Sequence, residues 1–156
     1  MTIHSAGYGS RTFDDFTSLL KEHGLTHVVD VRSTPYSNYQ VEFRRENLVK
    51  LIPEAGLRYV YMGDTLGGVV SRGEDDASKA TFQMGLDRLL LAASDPSKKL
   101  CLMCGCLLPH KCHRGAVLGA ALTARGVEYL HLDREGAILT QAQLELELFE
   151  PQGALF

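Results

Sequence analysis

The chain has 156 residues, 45% of them hydrophobic and 22% charged, with a formal net charge of −3. That length suits one domain with enough apolar residues to fill a core, and the composition excludes a disordered or fibrous chain. The acidic balance argues against non-specific nucleic-acid binding, which needs a basic face; even the pair Arg44-Arg45 is followed at once by Glu46.

The start, Met1-Thr2-Ile3-His4-Ser5, lacks the basic leader and apolar stretch of a signal peptide. No apolar run approaches the roughly 20 residues of a membrane span, so the expected location is the cytoplasm. Cys101, Cys104, Cys106 and Cys112 crowd into one short stretch, whereas a disulfide framework would spread them to join distant loops. They read as reduced thiols.

In chain order, Ile3 to Tyr8 reads as a first strand. Thr12 with Asp15 resembles a capping box, and Phe13, Phe16, Leu19 and Leu20 recur at helical spacing until Gly24 ends the helix. Leu25 to Val31 is a second strand whose near-continuous apolar core suits burial on both faces. A loop with Ser33, Pro35, Ser37 and Asn38 follows. Leu48, Leu51 and Ile52 mark a second helix ending near Gly56, and Leu57 to Met62 a third strand. Gly63 to Asp76 reads as a long polar loop, and loops of that length are often functional. Phe82, Leu86, Leu89 and Leu90 mark a third helix, Leu100 to Cys104 a fourth strand, and Ala116 to Leu122 a fourth helix ending near Gly126. Val127 to Leu132 is a fifth strand, and a terminal helix runs around Thr140 to Phe149.

Alternating strands and helices predict a three-layer α/β domain spanning residues 1–156, with a mainly parallel sheet and helices on both faces. Ligands in such folds bind beyond the carboxyl ends of the strands. Four motifs fall there: Gly7-Tyr8-Gly9-Ser10-Arg11, Asp30-Val31-Arg32-Ser33, Leu66-Gly67-Gly68, and the stretch from Cys104 to Arg114.

Asp30 and Arg32 alternate along a strand and so point the same way. Arg32 is placed either to grip a carboxylate or phosphate bidentately, or to pair with Asp30 and tie down the loop. Gly67 and Gly68 allow close backbone approach to a ligand, or a plain turn. The segment Cys104-Gly105-Cys106-Leu107-Leu108-Pro109-His110-Lys111-Cys112-His113-Arg114-Gly115 runs from a strand end into a helix start. Exposed amides there favour an anion and lower the pKa of a nearby thiol, which suits Cys112 as a thiolate, with Lys111 and Arg114 adding positive charge. Residues 107–109 are a potential apolar cover. Buried packing is the plain alternative for Cys101, Cys104 and Cys112. Zinc on Cys104, Cys106, Cys112 and His113 is a third reading, against which the paired C-x-x-C spacing is absent. His4, His23, His27 and His131 show no recognisable partners.

Gly7 with Arg11-Thr12, Asp30-Val31-Arg32-Ser33 with Pro35 and Ser37, Phe43, Leu66-Gly67-Gly68, Gly85, and Leu102-Met103-Cys104 followed by Cys112-His113-Arg114 resemble a bacterial and archaeal family described as domain of unknown function 488. The resemblance covers nearly the whole chain and implies the fold and the place of the site rather than a reaction. Where that family usually has Gly-His-Ser at the end of the first strand, this chain has Gly7-Tyr8-Gly9. Where the family usually has a glutamate two residues after the first cysteine, this chain has Cys106. A general acid or base is thereby missing or replaced. A more distant likeness is to rhodanese-type sulfurtransferases, which share the Asp-x-Arg strand end and a cysteine loop leading into a helix. Their loop from cysteine to arginine is shorter than Cys104 to Arg114 and longer than Cys112 to Arg114.

The leading expectation is an enzyme-like cleft binding a small anionic ligand, phosphorylated or nucleotide-like. Asp30, Cys104, Cys112 and His113 are the reactive candidates, and Arg32, Ser33, Gly67, Gly68 and Arg114 the ligand-holding ones. No cofactor is called for. A non-catalytic binding module, zinc-stabilised or not, and a sulfurtransferase-like thiol enzyme are the alternatives.

Overall fold

The computed structural model describes residues 1–106 and 112–149. Strand β1 (Thr2–Gly7) is followed by helix α1 (Phe13–Glu22), β2 (His27–Asp30), a 3-10 turn at Val41–Phe43, α2 (Arg45–Glu54) and β3 (Arg58–Tyr61). Two one-turn helices, α3 (Gly63–Leu66) and α4 (Gly68–Ser71), then lead into the long α5 (Asp76–Ala93). The chain continues through β4 (Leu100–Cys104), α6 (His113–Ala124), β5 (Glu128–Leu132), β6 (Ile138–Thr140) and α7 (Gln141–Phe149).

The strands form one six-stranded sheet in the order β3-β2-β4-β1-β5-β6. All pairings are parallel except β5 with β6, so the fold is a three-layer α/β architecture with a mostly parallel sheet. Alternation along the strands sorts the side chains into two cores. Val28, Cys101 and Met103 pack with Phe16 and Leu20 of α1 and Leu48 and Ile52 of α2. Ile3, Val29, Leu100 and Leu102 pack with Leu86 and Leu89 of α5 and Leu118 and Leu122 of α6. Both faces of the central strands are thus covered, which is why their sequences read as continuous apolar runs.

The connections after β1 and β2 leave to the α1/α2 face, while the one after β4, which lies between them, leaves to the α5/α6 face. Neighbouring strands whose connections part in opposite directions leave a crevice beyond their carboxyl ends. Cys104 ends β4 at that point, paired with Gly7, one residue beyond the Asp30–Met103 pair.

Two elements depart from the sequence expectation. The stretch read as a polar loop from Gly63 folds into α3 and α4, each too short and too glycine-rich to show helical periodicity. Tertiary packing holds them: Leu66 is fully buried in the α5/α6 core. A Cβ on Gly85 of α5 would meet the Thr65 Cβ at 2.6 Å, so glycine is needed there for α3 to close on α5. Strand β6 carries no signal because it is three residues long and largely exposed. The turn before it is legible, since Asp133 Oδ1 accepts from the N–H groups of Glu135 and Ala137 and Gly136 takes φ +83°. Among the described residues no helix is long and apolar enough to cross a membrane.

Leu102 lies at the centre of the sheet with no exposed surface, whereas Leu91 on α5 is 75% exposed. Leu102→Ala should cost about 2–5 kcal/mol of stability and Leu91→Ala under about 0.5 kcal/mol. Urea unfolding midpoints check this, and equal losses in the two variants would contradict the packing described.

Candidate functional site

The sequence-derived residues gather at the carboxyl edge of the sheet but on two sides of it. On the α1/α2 side lie Asp30 and Arg32. The Asp30 carboxylate is fully buried and accepts from Arg32 Nε at 2.8 Å, Arg32 NH2 at 2.7 Å, the Arg32 backbone N–H at 3.1 Å and the Tyr59 hydroxyl at 2.6 Å. Arg32 NH1 donates to the Tyr8 hydroxyl at 3.2 Å. Tyr8 in turn stacks on Phe43, with ring centres 4.1 Å apart. The bidentate grip of Arg32 is spent on Asp30, so the pair ties the strand end to its surroundings.

On the α5/α6 side lie the thiols. Cys104 at the end of β4 and Cys112 at the N-cap of α6 place their Sγ atoms 2.8 Å apart. Cys106 is exposed, and its Sγ lies within 4.8 Å of the other two, so the three form a donor set that could hold a soft metal ion. Arg114, one residue into α6, is fully buried; its Nε donates to Cys104 Sγ at 2.9 Å, NH1 to Ser5 Oγ at 2.8 Å and NH2 to the Cys106 carbonyl at 2.7 Å. Sequence reading placed Arg114 as a ligand anion-holder; the structure uses these three donors inside the protein.

His113 Nε2 faces the Val31 carbonyl at 3.1 Å and must therefore carry the proton, leaving Nδ1 as an acceptor 3.6 Å from Cys112 Sγ. Burial and the neighbouring Arg72 hold this imidazole below its ordinary pKa, in the neutral form. Gly68 lies against the same ring: a Cβ there would stand 3.8 Å from His113 Cγ and 3.2 Å from Arg72 NH1. Arg72, which lies in the stretch read as a polar loop and was given no role there, is exposed and makes no side-chain hydrogen bond or ion pair among the described residues. Its signal was position alone, four residues after the Gly67-Gly68 pair begins the turn. Ser33 Oγ accepts from the Val69 N–H at 3.0 Å, and Gly67 packs directly on Ser33, so this pair docks α4 against the end of β2.

The electrostatics of the thiols follow from these contacts. Burial raises Cys101 to about 12 and Cys104 to about 11. Cys112 is lowered, chiefly because the Cys104 thiol donates to it, with the first-turn backbone and Arg114 assisting against burial. Arg114 touches Cys104 rather than Cys112, yet the lower pKa falls on Cys112: the one shared proton stays on the more deeply buried sulfur, whose lone pair still accepts from Arg114. Lys111 and residues 107–109, proposed above as a positive neighbour and an apolar cover, lie outside the described residues. Cavities of about 690 and 570 Å³ lie at the opposite edge of the sheet, around His4, His23 and Lys99 and around Thr26, His27 and Arg58.

Behind Arg114 runs a closed buried chain of hydrogen bonds. His131 Nε2 faces Gln141 Oε1 at 2.6 Å and therefore carries the proton, so Nδ1 accepts from the Ser5 hydroxyl at 2.5 Å. Gln141 Nε2 returns to the Gly115 carbonyl in the first turn of α6 at 3.0 Å. The hydroxyl of Tyr129 is buried in the same region, directed toward Ser5 without hydrogen-bond geometry and with no partner among the described residues.

Two outcomes follow from these buried groups. Arg32→Ala strands a buried carboxylate and should cost about 3–5 kcal/mol, much of it regained when Asp30→Asn is added; unfolding free energies of the single and double variants check this. Burial holds His131 near pKa 4 instead of 6.5, so between those values the unfolded chain binds the extra proton and stability rises with pH, levelling above 6.5. His131→Gln should flatten that slope by up to about 1.4 kcal/mol per pH unit. An unchanged slope between about pH 4.5 and pH 6.5 would count against a buried neutral imidazole.

No curated protein and no solved structure matches the chain. A family model does, that of the domain of unknown function DUF488, over residues 12–121. This span runs from the N-cap of α1 through β2, the Gly67-Gly68 turn, β4 and the Cys112-His113-Arg114 start of α6, and covers more than half of the chain. The protein belongs to the DUF488 family.

Proposed function

We propose that the edge formed by Cys112, Cys104, His113 and Arg72 is a thiol-based catalytic site that takes a small anionic ligand, in a reducing, cytoplasmic setting. The observation that carries this reading is the 2.8 Å contact between Cys104 and Cys112, backed by the Arg114 Nε–H on Cys104. Arg114 polarises the Cys104 thiol, the Cys104 thiol donates to Cys112, and the start of α6 adds its exposed amides. Cys112 is then the nucleophile, and His113 Nδ1 is the neighbouring proton acceptor.

The anionic preference rests on Arg72, since Arg32 and Arg114 already serve partners within the protein. Gly68 puts no side chain between Arg72 and His113, which leaves that flank open to a ligand group. Sulfur transfer would use the same nucleophile. A zinc-stabilised module is less well supported: a tetrahedral zinc with Zn–S of about 2.3 Å holds two thiolates about 3.8 Å apart. Cys104 and Cys112 stand 2.8 Å apart, closer than that span.

Alkylation tests the reading. Iodoacetamide should label Cys112 far faster than Cys101 near neutral pH, because the Cys112 thiolate persists to lower pH while Cys101 is raised to about 12. Cys104→Ser should move the Cys112 profile to higher pH. The anionic reagent iodoacetate should gain on iodoacetamide at Cys112 relative to a free thiol, and Arg72→Ala should remove that gain. Labelling of Cys112 no faster than Cys101, mapped by mass spectrometry, would favour a non-catalytic module instead.

A further inference from the structure

We propose that Cys104 and Cys112 are a redox-active dithiol that reduces small acidic aliphatic disulfides, closing into a Cys104–Cys112 disulfide as it does so. This rests on the thiol reading above and names its substrate class. The ground is the arrangement of three sulfurs. Cys112 and Cys104 are already in contact at 2.8 Å, whereas Cys106, although nearby, is the exposed member and contributes its backbone carbonyl to Arg114. Both members of the contacting pair are buried, and Cys112 is the one at the N-cap of α6, 3.6 Å from the His113 Nδ1 acceptor. It is thus placed to meet the substrate first, with Cys104 directly behind to resolve.

The electrons balance without any other reagent. Cys112 thiolate attacks one sulfur of R–S–S–R, a Cys112–S–S–R bond forms, and the first R–S⁻ leaves and takes a proton from solvent. Cys104 sulfur then attacks Cys112 Sγ, the Cys112–S–S–R bond breaks, and the second R–S⁻ leaves with the Cys104 proton. The dithiol loses two electrons and the substrate disulfide gains them, giving two R–SH. The Arg114 Nε–H on Cys104 stabilises negative charge on the resolving sulfur as its proton departs. Arg72 beside His113 supplies the counter-charge for an acidic R group.

The reduced full chain, treated with oxidised glutathione and quenched with acid and N-ethylmaleimide, should lose two of its four thiols and yield a Cys104–Cys112 peptide pair by mass spectrometry. Cys106→Ser should behave the same. Cys104→Ser, with Cys104→Ala as a second variant should the first fail to fold, should stop at a Cys112–glutathione adduct. Cystamine, a cationic disulfide, should oxidise the chain more slowly, and Arg72→Ala should narrow the difference. A Cys106–Cys112 pair, an adduct that persists in the unaltered chain, or stoichiometric zinc blocking all three thiols would overturn the proposal. If Cys112 is rapidly alkylated but no Cys104–Cys112 pair forms, the dithiol inference alone fails; if Cys112 is no more reactive than Cys101, the underlying thiol reading fails with it.

Discussion

The whole carboxyl edge depends on one buried cation. A guanidinium carries donors in a fixed plane and cannot shed its charge, so an arginine with no exposed surface is tolerated only where acceptors meet it from several directions. Arg114 draws them from Ser5 on β1, from Cys104 at the end of β4 and from the Cys106 carbonyl beyond it. Those contacts set where α6 begins relative to the strand ends, and with it where Cys112 sits. The chain through Ser5, His131 and Gln141 returns to Gly115, so the first turn of α6 is held from both sides by β1, β5 and α7. A local shift of α6 would break several buried hydrogen bonds at once, each costly to leave unmade.

The contacts with Cys106 and Tyr8 also give physical content to the two departures from the family's usual residues. Position 106 reaches Arg114 through its backbone carbonyl, an interaction that any side chain leaves intact. The Cys106 side chain, by contrast, lies beside the Cys104 and Cys112 sulfurs, within 4.8 Å of both. Tyr8 occupies the end of β1 with its ring on Phe43 and its hydroxyl on Arg32. It closes the Asp30–Arg32 side with aromatic packing and a hydrogen bond, where a histidine would bring a titrating group. Glycine at position 7 is required for a different reason: a Cβ would collide with the Cys106 carbonyl and stand 2.8 Å from Arg114 NH2.

The two sides of the edge consequently do different work. Asp30, Arg32, Tyr8 and Tyr59 saturate one another and form a strut under the loop after β2. Cys104, Cys112, His113 and Arg72 are less fully spent. The sulfurs share one close contact, His113 turns the Nδ1 lone pair toward Cys112 Sγ at 3.6 Å, and Arg72 makes no side-chain hydrogen bond among the described residues. The Tyr129 hydroxyl is a further buried polar group on this side with no hydrogen-bond partner among the described residues.

The sequence by itself determined the layer architecture, because strands buried on both faces must be continuously apolar and helices between them must repeat with helical period. It also located the motifs at one edge, since strand ends in an alternating β/α chain all point the same way. Helix limits were legible where chemistry marks them: Thr12 accepts from the Asp15 N–H at the start of α1, and Gly24 ends it at φ +69°. What only the tertiary structure decided was which side of the sheet each motif side chain occupies and whom it meets. Asp30 and Cys104 sit on neighbouring strands yet face opposite cores, a matter of register that no spacing reveals. Ser5, His131 and Gln141 meet Arg114 and Gly115 from distant parts of the chain, and Arg72 and His113 come together across the Gly68 position. These partnerships depend on long-range packing, so the residues looked ordinary until the sheet brought them together.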